Sequence, residues 1–286
     1  MKVAVVGTGA MGRAMAGHLA RAGLPLIVTD IDPDTRALAA ADGLVVADTL
    51  AEAATAADTF IVVVATDDQS RAVTAGIVAA ANPGSVIAIA ATNNPNTMRE
   101  LADKASAANF GFVDAPVVFG LEGAREGTLV SLCGGSAEDL ARVRPALMAY
   151  SRAVHHVGPV GAGQLAKTCN NMMHWAACVA NYEMLLIAKR YGVDAQKMRE
   201  ILLDCPARNG TLERWDTTRF TWHEKDMDVA LDLAQAGGVP LPLFAQVDQL
   251  VKRLGPDRVR ALLHGPEAEY LGQRIVPLDR EHGGFS

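Results

Sequence analysis

One stretch constrains this chain more than any other: the run Lys2–Val6, then Gly7-Thr8-Gly9-Ala10-Met11-Gly12, then an alanine-rich helical pattern from Ala10 to Arg21. A β-branched run reads as a strand, and G-x-G-x-x-G between a strand and a helix fits one backbone task. The first glycine permits a tight turn, the second lets a pyrophosphate approach the main chain, and the third lets the helix pack close to the strand. Phosphates then lie over unpaired amides at the helix N-terminus, where the dipole favours negative charge. A second strand, Pro25–Asp30, ends on an acid 18 residues past Gly12, placed to accept hydrogen bonds from adenosine ribose hydroxyls. Gly7, Gly9, Ala10, Met11, Gly12 and Asp30 are thus expected to bind a dinucleotide. A carboxylate at position 30 repels a ribose 2′-phosphate, and Ile31 rather than an arginine follows it. NAD is therefore expected in preference to NADP, with Arg36, a helix turn further on, as the one cation able to reach back.

Strand–helix alternation continues. A helix follows Pro33, a short strand lies near Leu44–Val46 and a strong one at Thr59–Val64. Asp68–Ala80 reads as helix, Ser85–Ala90 as extended, Asn96–Ala107 as helix, and Phe110–Asp114, Leu129–Cys133 and Val154–Val157 as strands, with a helix over Ser136–Tyr150. Short continuous apolar strands between helices predict an α/β fold, a mostly parallel sheet with helices on both faces. At Gly158–Gly163 the texture changes. Beyond it the pattern is helical over Gly163–Arg190, Ala195–Leu203, Asp226–Ala236 and Phe244–Leu254, with no convincing strand. The expected division is a Rossmann-type domain over 1–160 and an all-α domain over 161–286, joined by a long helix. Asp279–Ser286 is expected to form an exposed or partner-dependent tail.

At 286 residues, 50% hydrophobic and 20% charged, the chain has material for roughly two globular domains. A net charge of −6 argues against a nucleic-acid partner. No apolar run approaches the ~20 residues that cross a bilayer, and because the chain enters a strand-like run at once, no signal peptide is expected. Cys133, Cys169, Cys178 and Cys205 form no CxxC pair, as expected for reduced thiols in a cytoplasmic protein. His155 and His156 point opposite ways on a strand, and no metal site is expected.

The junction Gly158-Pro159-Val160-Gly161-Ala162-Gly163 leads into a helix on which Lys167, Asn171, His174 and Cys178 fall at i, i+4, i+7 and i+11, on one face. A lysine, an amide and an imidazole on one stripe of an apolar helix suit a solvated face or a cleft. The glycines and the neighbouring dinucleotide loop favour the cleft. Lys225, at a second helix entrance, would by itself be ordinary surface.

Together these features resemble the β-hydroxyacid dehydrogenase family, on G-x-G-x-M-G-x-x-M-A over Gly7–Ala16, Asp114-Ala115-Pro116-Val117, Gly123-Ala124 with Gly127-Thr128-Leu129, G-x-x-G-x-G-x-x-x-K-x-x-x-N over Gly158–Asn171, and Lys225-Asp226. The resemblance implies that Lys167 is the catalytic lysine and Asn171 the amide positioning it and the substrate. Lys225 would lie near nicotinamide and substrate, Ala65 and Thr66 would contact the cofactor, and Thr92 would line the nicotinamide side. It also implies a homodimer or homotetramer and reversible hydride transfer between nicotinamide and a hydroxy acid or semialdehyde-type substrate. Lys167 would act as general acid in reduction. As general base it would need the lowered basicity that burial and Lys225 can supply.

One departure stands out. Where the family reads Asp-Ala-Pro-Val-Ser-Gly-Gly, this chain has Val118, Phe119 and Gly120 after Val117. The hydroxyl that would serve a substrate carboxylate is gone and an aromatic ring is added, which suits a bulkier or more apolar substrate with its polar contacts made through Lys167, Asn171, His174 and Lys225. The alternative for Phe119 is simple packing under its loop. Alternatives for the chain are an imine or ketone reductase on the same scaffold, against which retention of Lys167 argues, and an NAD-binding module without turnover.

Overall fold

Each short apolar run becomes a strand, and the central ones are buried on both sides. In the computed structural model, which describes residues 1–285, these are β1 (Val3–Val6), β2 (Leu26–Thr29), β3 (Thr59–Val62), β4 (Val86–Ile89) and β5 (Gly111–Asp114), then β6 (Val117–Val118), β7 (Leu129–Gly135) and β8 (Ser151–Gly158). Between and after them run α1 (Ala10–Arg21), α2 (Pro33–Ala41), α3 (Leu50–Ala56), α4 (Asp67–Ala80), α5 (Pro95–Ala107), α6 (Gly120–Glu126), α7 (Ala137–Tyr150) and α8 (Ala162–Arg190). The sheet order is β2-β1-β3-β4-β5-β7-β6, with β8 also paired to β7. The first five strands are parallel, β7 runs against β5 and β6, and β8 runs with β7. Strand periodicity sorts side chains between two cores. Val3, Val5, Ile61 and Ala88 pack with Met15 and Leu19 of α1 and Val143 and Leu147 of α7. Ala4, Phe60, Val62 and Ile87 pack on the other face with Ile77 of α4 and Met98 and Leu101 of α5.

Two compact units divide between Lys167 and Thr168, inside α8. The second unit adds α9 (Ala195–Leu203), α10 (Gly210–Glu213), α11 (His223–Gly237), α12 (Pro242–Val251) and α13 (Pro256–His264). Its core gathers Trp175, Cys178, Tyr182 and Leu185 of α8, at helical spacing, with Trp215, Met227, Val251 and Leu262.

The α/β fold with a helical second half is as expected, but the second half is not all-α. Strands β9 (Ala268–Tyr270) and β10 (Gln273–Ile275) form an antiparallel hairpin. Leu271 and Gly272 turn it with φ of 52° and 82°, the left-handed pair a tight hairpin needs; runs this short leave no alternation to read. The expected strand near Leu44–Val46 is reduced to one bridge, Val28 with Val46. Conversely, α3, β6 and α6 had no expectation behind them.

The segment from Asp279 is largely exposed, as expected, yet it and Leu278 before it are tied to Arg190 and Tyr191 at the end of α8 (Ser286 lies outside the described residues). The Leu278 N–H donates to the Arg190 carbonyl and the Phe285 N–H to the Tyr191 carbonyl, each at 2.8 Å. The Phe285 and Tyr191 rings lie 5.7 Å apart. No described helix is long and apolar enough to cross a membrane.

Candidate active site

In the first unit the three glycines of the loop each do what their spacing requires. Gly7 has φ of +96°, and a Cβ on it would lie 2.1 Å from the Val63 carbonyl oxygen; one on Gly12 would lie 1.9 Å from the Gly7 carbonyl oxygen. Gly9 has nothing within 4 Å of such an atom, so the backbone there is open to an approaching ligand. Gly9 is the N-cap of α1 and offers no side-chain acceptor, which leaves the amides of Ala10, Met11 and the first turn for phosphate oxygens. These residues fit a dinucleotide.

Asp30 has a structural task of its own. Its Oδ2 accepts from the Thr8 N–H at 2.6 Å and its Oδ1 from the Asp32 N–H at 3.0 Å, tying the end of β2 to the glycine loop while lone pairs remain on both oxygens. Arg36 does reach back: its Nη1 donates to the Asp30 carbonyl at 2.8 Å and to the Ile31 carbonyl at 3.3 Å. Ala65 and Thr66 follow β3, and both backbone N–H groups donate to Gln69 Oε1 at 2.8 and 3.2 Å. Thr66 caps α4 in a capping box.

The residues missed by sequence reasoning are Asp114 and Gln164. Asp114, at the end of β5, is fully buried. Its Oδ1 accepts from the Gly161 N–H at 2.7 Å and its Oδ2 from the Gln164 N–H at 2.8 Å. A carboxylate thus satisfies the orphan amides where α8 begins. Burial pushes its pKa up to about 6, with the amide hydrogen bonds opposing the rise. Glycine is obligatory opposite it: a Cβ on Gly163 would lie 2.3 Å from the Leu132 carbonyl oxygen. The Gln164 side chain donates to the Ala91 carbonyl at 2.7 Å and accepts from the Asn93 N–H at 3.0 Å, while Asn93 Oδ1 accepts from Ser70 Oγ at 3.1 Å. The segment carrying Thr92 and the first turn of α8, which leads to Lys167, are therefore fixed to the same strand ends. Lys167 is half-buried. The available signal was a buried-strand Asp and a Gln inside the glycine-rich junction.

Phe119 is not packed under its loop. It is 37% exposed, and its φ of 85° is left-handed, a conformation that costs a bulky L-residue about 1–3 kcal/mol. The Arg152 guanidinium carbon stands 4.5 Å from the centre of its ring. Val118 is half-buried and Gly120, also at positive φ, is exposed.

In the second unit Asn171 is 8% exposed and its Oδ1 accepts from Asn170 Nδ2 at 3.2 Å. His174 Nδ1 pairs with Thr211 Oγ1 at 2.9 Å, and its Nε2 lies 4.0 Å from Cys178 Sγ. Cys178 is fully buried, and burial pushes its thiol up to about 12, so this stripe of α8 descends from a half-buried lysine into the core and is no solvated face. Lys225 lies in the first turn of α11, half-buried. That turn is set by Trp175, whose Nε1 donates to Asp226 Oδ2 at 3.0 Å and whose ring meets His223 edge-on at 5.8 Å. The pairing of Trp175 with the residue after Lys225 had no local sequence signal.

A family described as the NAD binding domain of 6-phosphogluconate dehydrogenase matches residues 2–158, and one described as NAD-binding of NADP-dependent 3-hydroxyisobutyrate dehydrogenase matches residues 161–261. The chain is 34% identical to an oxidoreductase of Shewanella frigidimarina over 87% of its own length and 90% of the relative's. It is 32% identical to an NAD-dependent L-serine dehydrogenase of Pseudomonas aeruginosa, over 74% and 72% of the two chains. Among solved structures it is similar to a 3-hydroxyisobutyrate dehydrogenase of Mycobacterium tuberculosis with L-serine, at a TM-score of 0.80, 28% identity, and 88% and 92% coverage.

Proposed function

The chain belongs to the β-hydroxyacid dehydrogenase family, and from that membership we propose that it interconverts an alcohol and a carbonyl on a hydroxy acid or semialdehyde-type substrate, with Lys167 moving the proton. The bound nicotinamide cofactor supplies the hydride acceptor or donor. In oxidation the substrate hydroxyl proton passes to Lys167 as the carbon loses hydride; in reduction the Lys167 ammonium returns it to the oxygen. Asn171 and Lys225 orient the substrate, with His174 lining its pocket, and the protein's contribution is position and charge. The observation that carries the reading is the clamp at the start of α8, three residues before Lys167: Asp114 holds the Gly161 and Gln164 amides, and the Gln164 side chain holds the segment bearing Thr92. Retention of that lysine supports alcohol chemistry over an imine reductase. Assembly into a dimer or tetramer is part of the same reading.

Asp30 supports NAD as the cofactor, because a carboxylate at the end of β2 would repel a ribose 2′-phosphate, while Arg36 is engaged by main-chain carbonyls. A screen of hydroxy acids at fixed NAD and NADP, followed at the nicotinamide absorbance band, tests both points. Turnover with NAD is expected to exceed that with NADP by about tenfold or more, a modest share of a like-charge penalty, and Asp30→Ala to narrow the gap. Equal use of both cofactors would remove this assignment, and no turnover of any alcohol would remove the dehydrogenase reading.

The loop Val118-Phe119-Gly120 is read as the substrate's neighbour, altered toward bulk. Val118→Ser combined with Phe119→Gly is expected to shift relative kcat/KM toward small hydroxy acids by about tenfold, the worth of one restored buried hydrogen bond. An unchanged order of preference across the panel would count against the loop's role.

A further inference from the structure

Three features of the first unit converge on one side chain. Phe119 holds a left-handed conformation that only glycine adopts without strain, and its ring is displayed instead of buried. Its position is pinned, since a Cβ on Gly123 would lie 2.7 Å from the Phe119 Cβ. Opposite it, the pairing of β7 with β8 steps from Leu129–Ser151 to Val130–Ala153, leaving Arg152 as the extra residue of a bulge, a device that re-aims a side chain. The guanidinium carbon comes 4.5 Å from the centre of the Phe119 ring.

Topology puts this pair at the ligand-binding rim. Strand β6 pairs with β7 beyond β5: Asp114 opposes Gly134, whereas Val118 opposes Val130. Phe119 therefore lies past the carboxyl ends of the parallel strands, the edge at which open α/β sheets bind ligands, and Arg152 lies beside it on the same end of β7. A contact through the aromatic face consumes no N–H donor. Among the described residues no hydrogen bond or ion pair engages the Arg152 guanidinium.

We propose that Arg152, braced on the Phe119 ring, selects substrates that carry a second carboxylate on an apolar stem, remote from the reacting carbon. The stem meets the aromatic ring and the terminal carboxylate takes the planar donors of the guanidinium, a geometry that suits two parallel hydrogen bonds. The proposal rests on the reading of loop 118–120 as the substrate's neighbour. It explains why an aromatic side chain stands in a glycine's conformation there: without the ring, the arginine has no platform.

Two measurements separate this proposal from the dehydrogenase reading. The first compares binding of glutarate and butyrate to the intact protein with saturating NADH, in wild type, Arg152→Met and Arg152→Lys. Wild type is expected to prefer glutarate by roughly ten- to a hundredfold, the worth of a charge-assisted hydrogen bond. Arg152→Met is expected to erase that preference and Arg152→Lys to keep part of it. Equal glutarate binding by wild type and Arg152→Met overturns the proposal, whether or not any alcohol is oxidised. The second compares kcat and KM for a hydroxy acid and its homologue with a second terminal carboxylate. The preference is expected in KM and to vanish in Arg152→Met; its persistence there also overturns the proposal. Turnover that fails for every alcohol, alongside a glutarate preference lost in Arg152→Met, sinks the dehydrogenase reading and leaves the arginine's role standing.

Discussion

Replacing Lys167 by alanine is expected to reduce turnover by about a hundred- to ten-thousandfold, the range for loss of a positioned acid or base, while cofactor affinity stays within about twofold. The asymmetry follows from where the groups sit. The phosphates and ribose are expected at Gly7–Gly12 and Asp30, at the β1 and β2 ends, whereas Lys167 is carried by the first turns of α8. Stopped-flow hydride transfer alongside a fluorescence titration with NADH separates the two effects. Full activity in Lys167→Ala would remove the lysine from the mechanism, and lost NADH binding would make it a structural residue.

The second large effect is expected at Asp114. Asp114→Ala strands the Gly161 and Gln164 amides in a dry interior, at about 1–3 kcal/mol for each unpaired group, so a loss of about 3 kcal/mol in unfolding free energy is expected by chemical denaturation. Its pH dependence has a definite sign. The folded-state pKa of about 6 lies above the ordinary 3.8, so the folded protein holds this proton more tightly than the unfolded chain. The associated stability is fully present below pH ~4 and lost as pH rises through 6, amounting to ~3 kcal/mol. Wild type is therefore expected to lose its advantage over Asp114→Asn as pH rises from 4 to 7. Parallel pH profiles for the two proteins would place the titration elsewhere.

Local signals carried much of this fold into view. Strand-sized apolar runs and an intact G-x-G-x-x-G are properties of adjacent residues, so β1, the loop and α1, from Ala10 to Arg21, could be read directly. Residues joined across long stretches of chain could not. Gln164 meets Ala91 and Asn93 through a loop closed over some seventy residues, and nothing near Gln164 announces that partner. Trp175 packs in the core of the second unit, and only the fold reveals that its indole also holds the entrance of α11. Val117–Val118 is too short to announce a strand. At Phe119 the change from glycine was legible, but the retained backbone conformation, and Arg152 brought over the ring from β8, were not.

The left-handed backbone at Phe119 also bears on how such a protein can be engineered. Selection for heat resistance alone would favour glycine there, since relaxing that torsion is worth about 1 kcal/mol or more. A hardier variant obtained that way would have shed its aromatic rim residue, and a screen blind to chemistry would record only the gain.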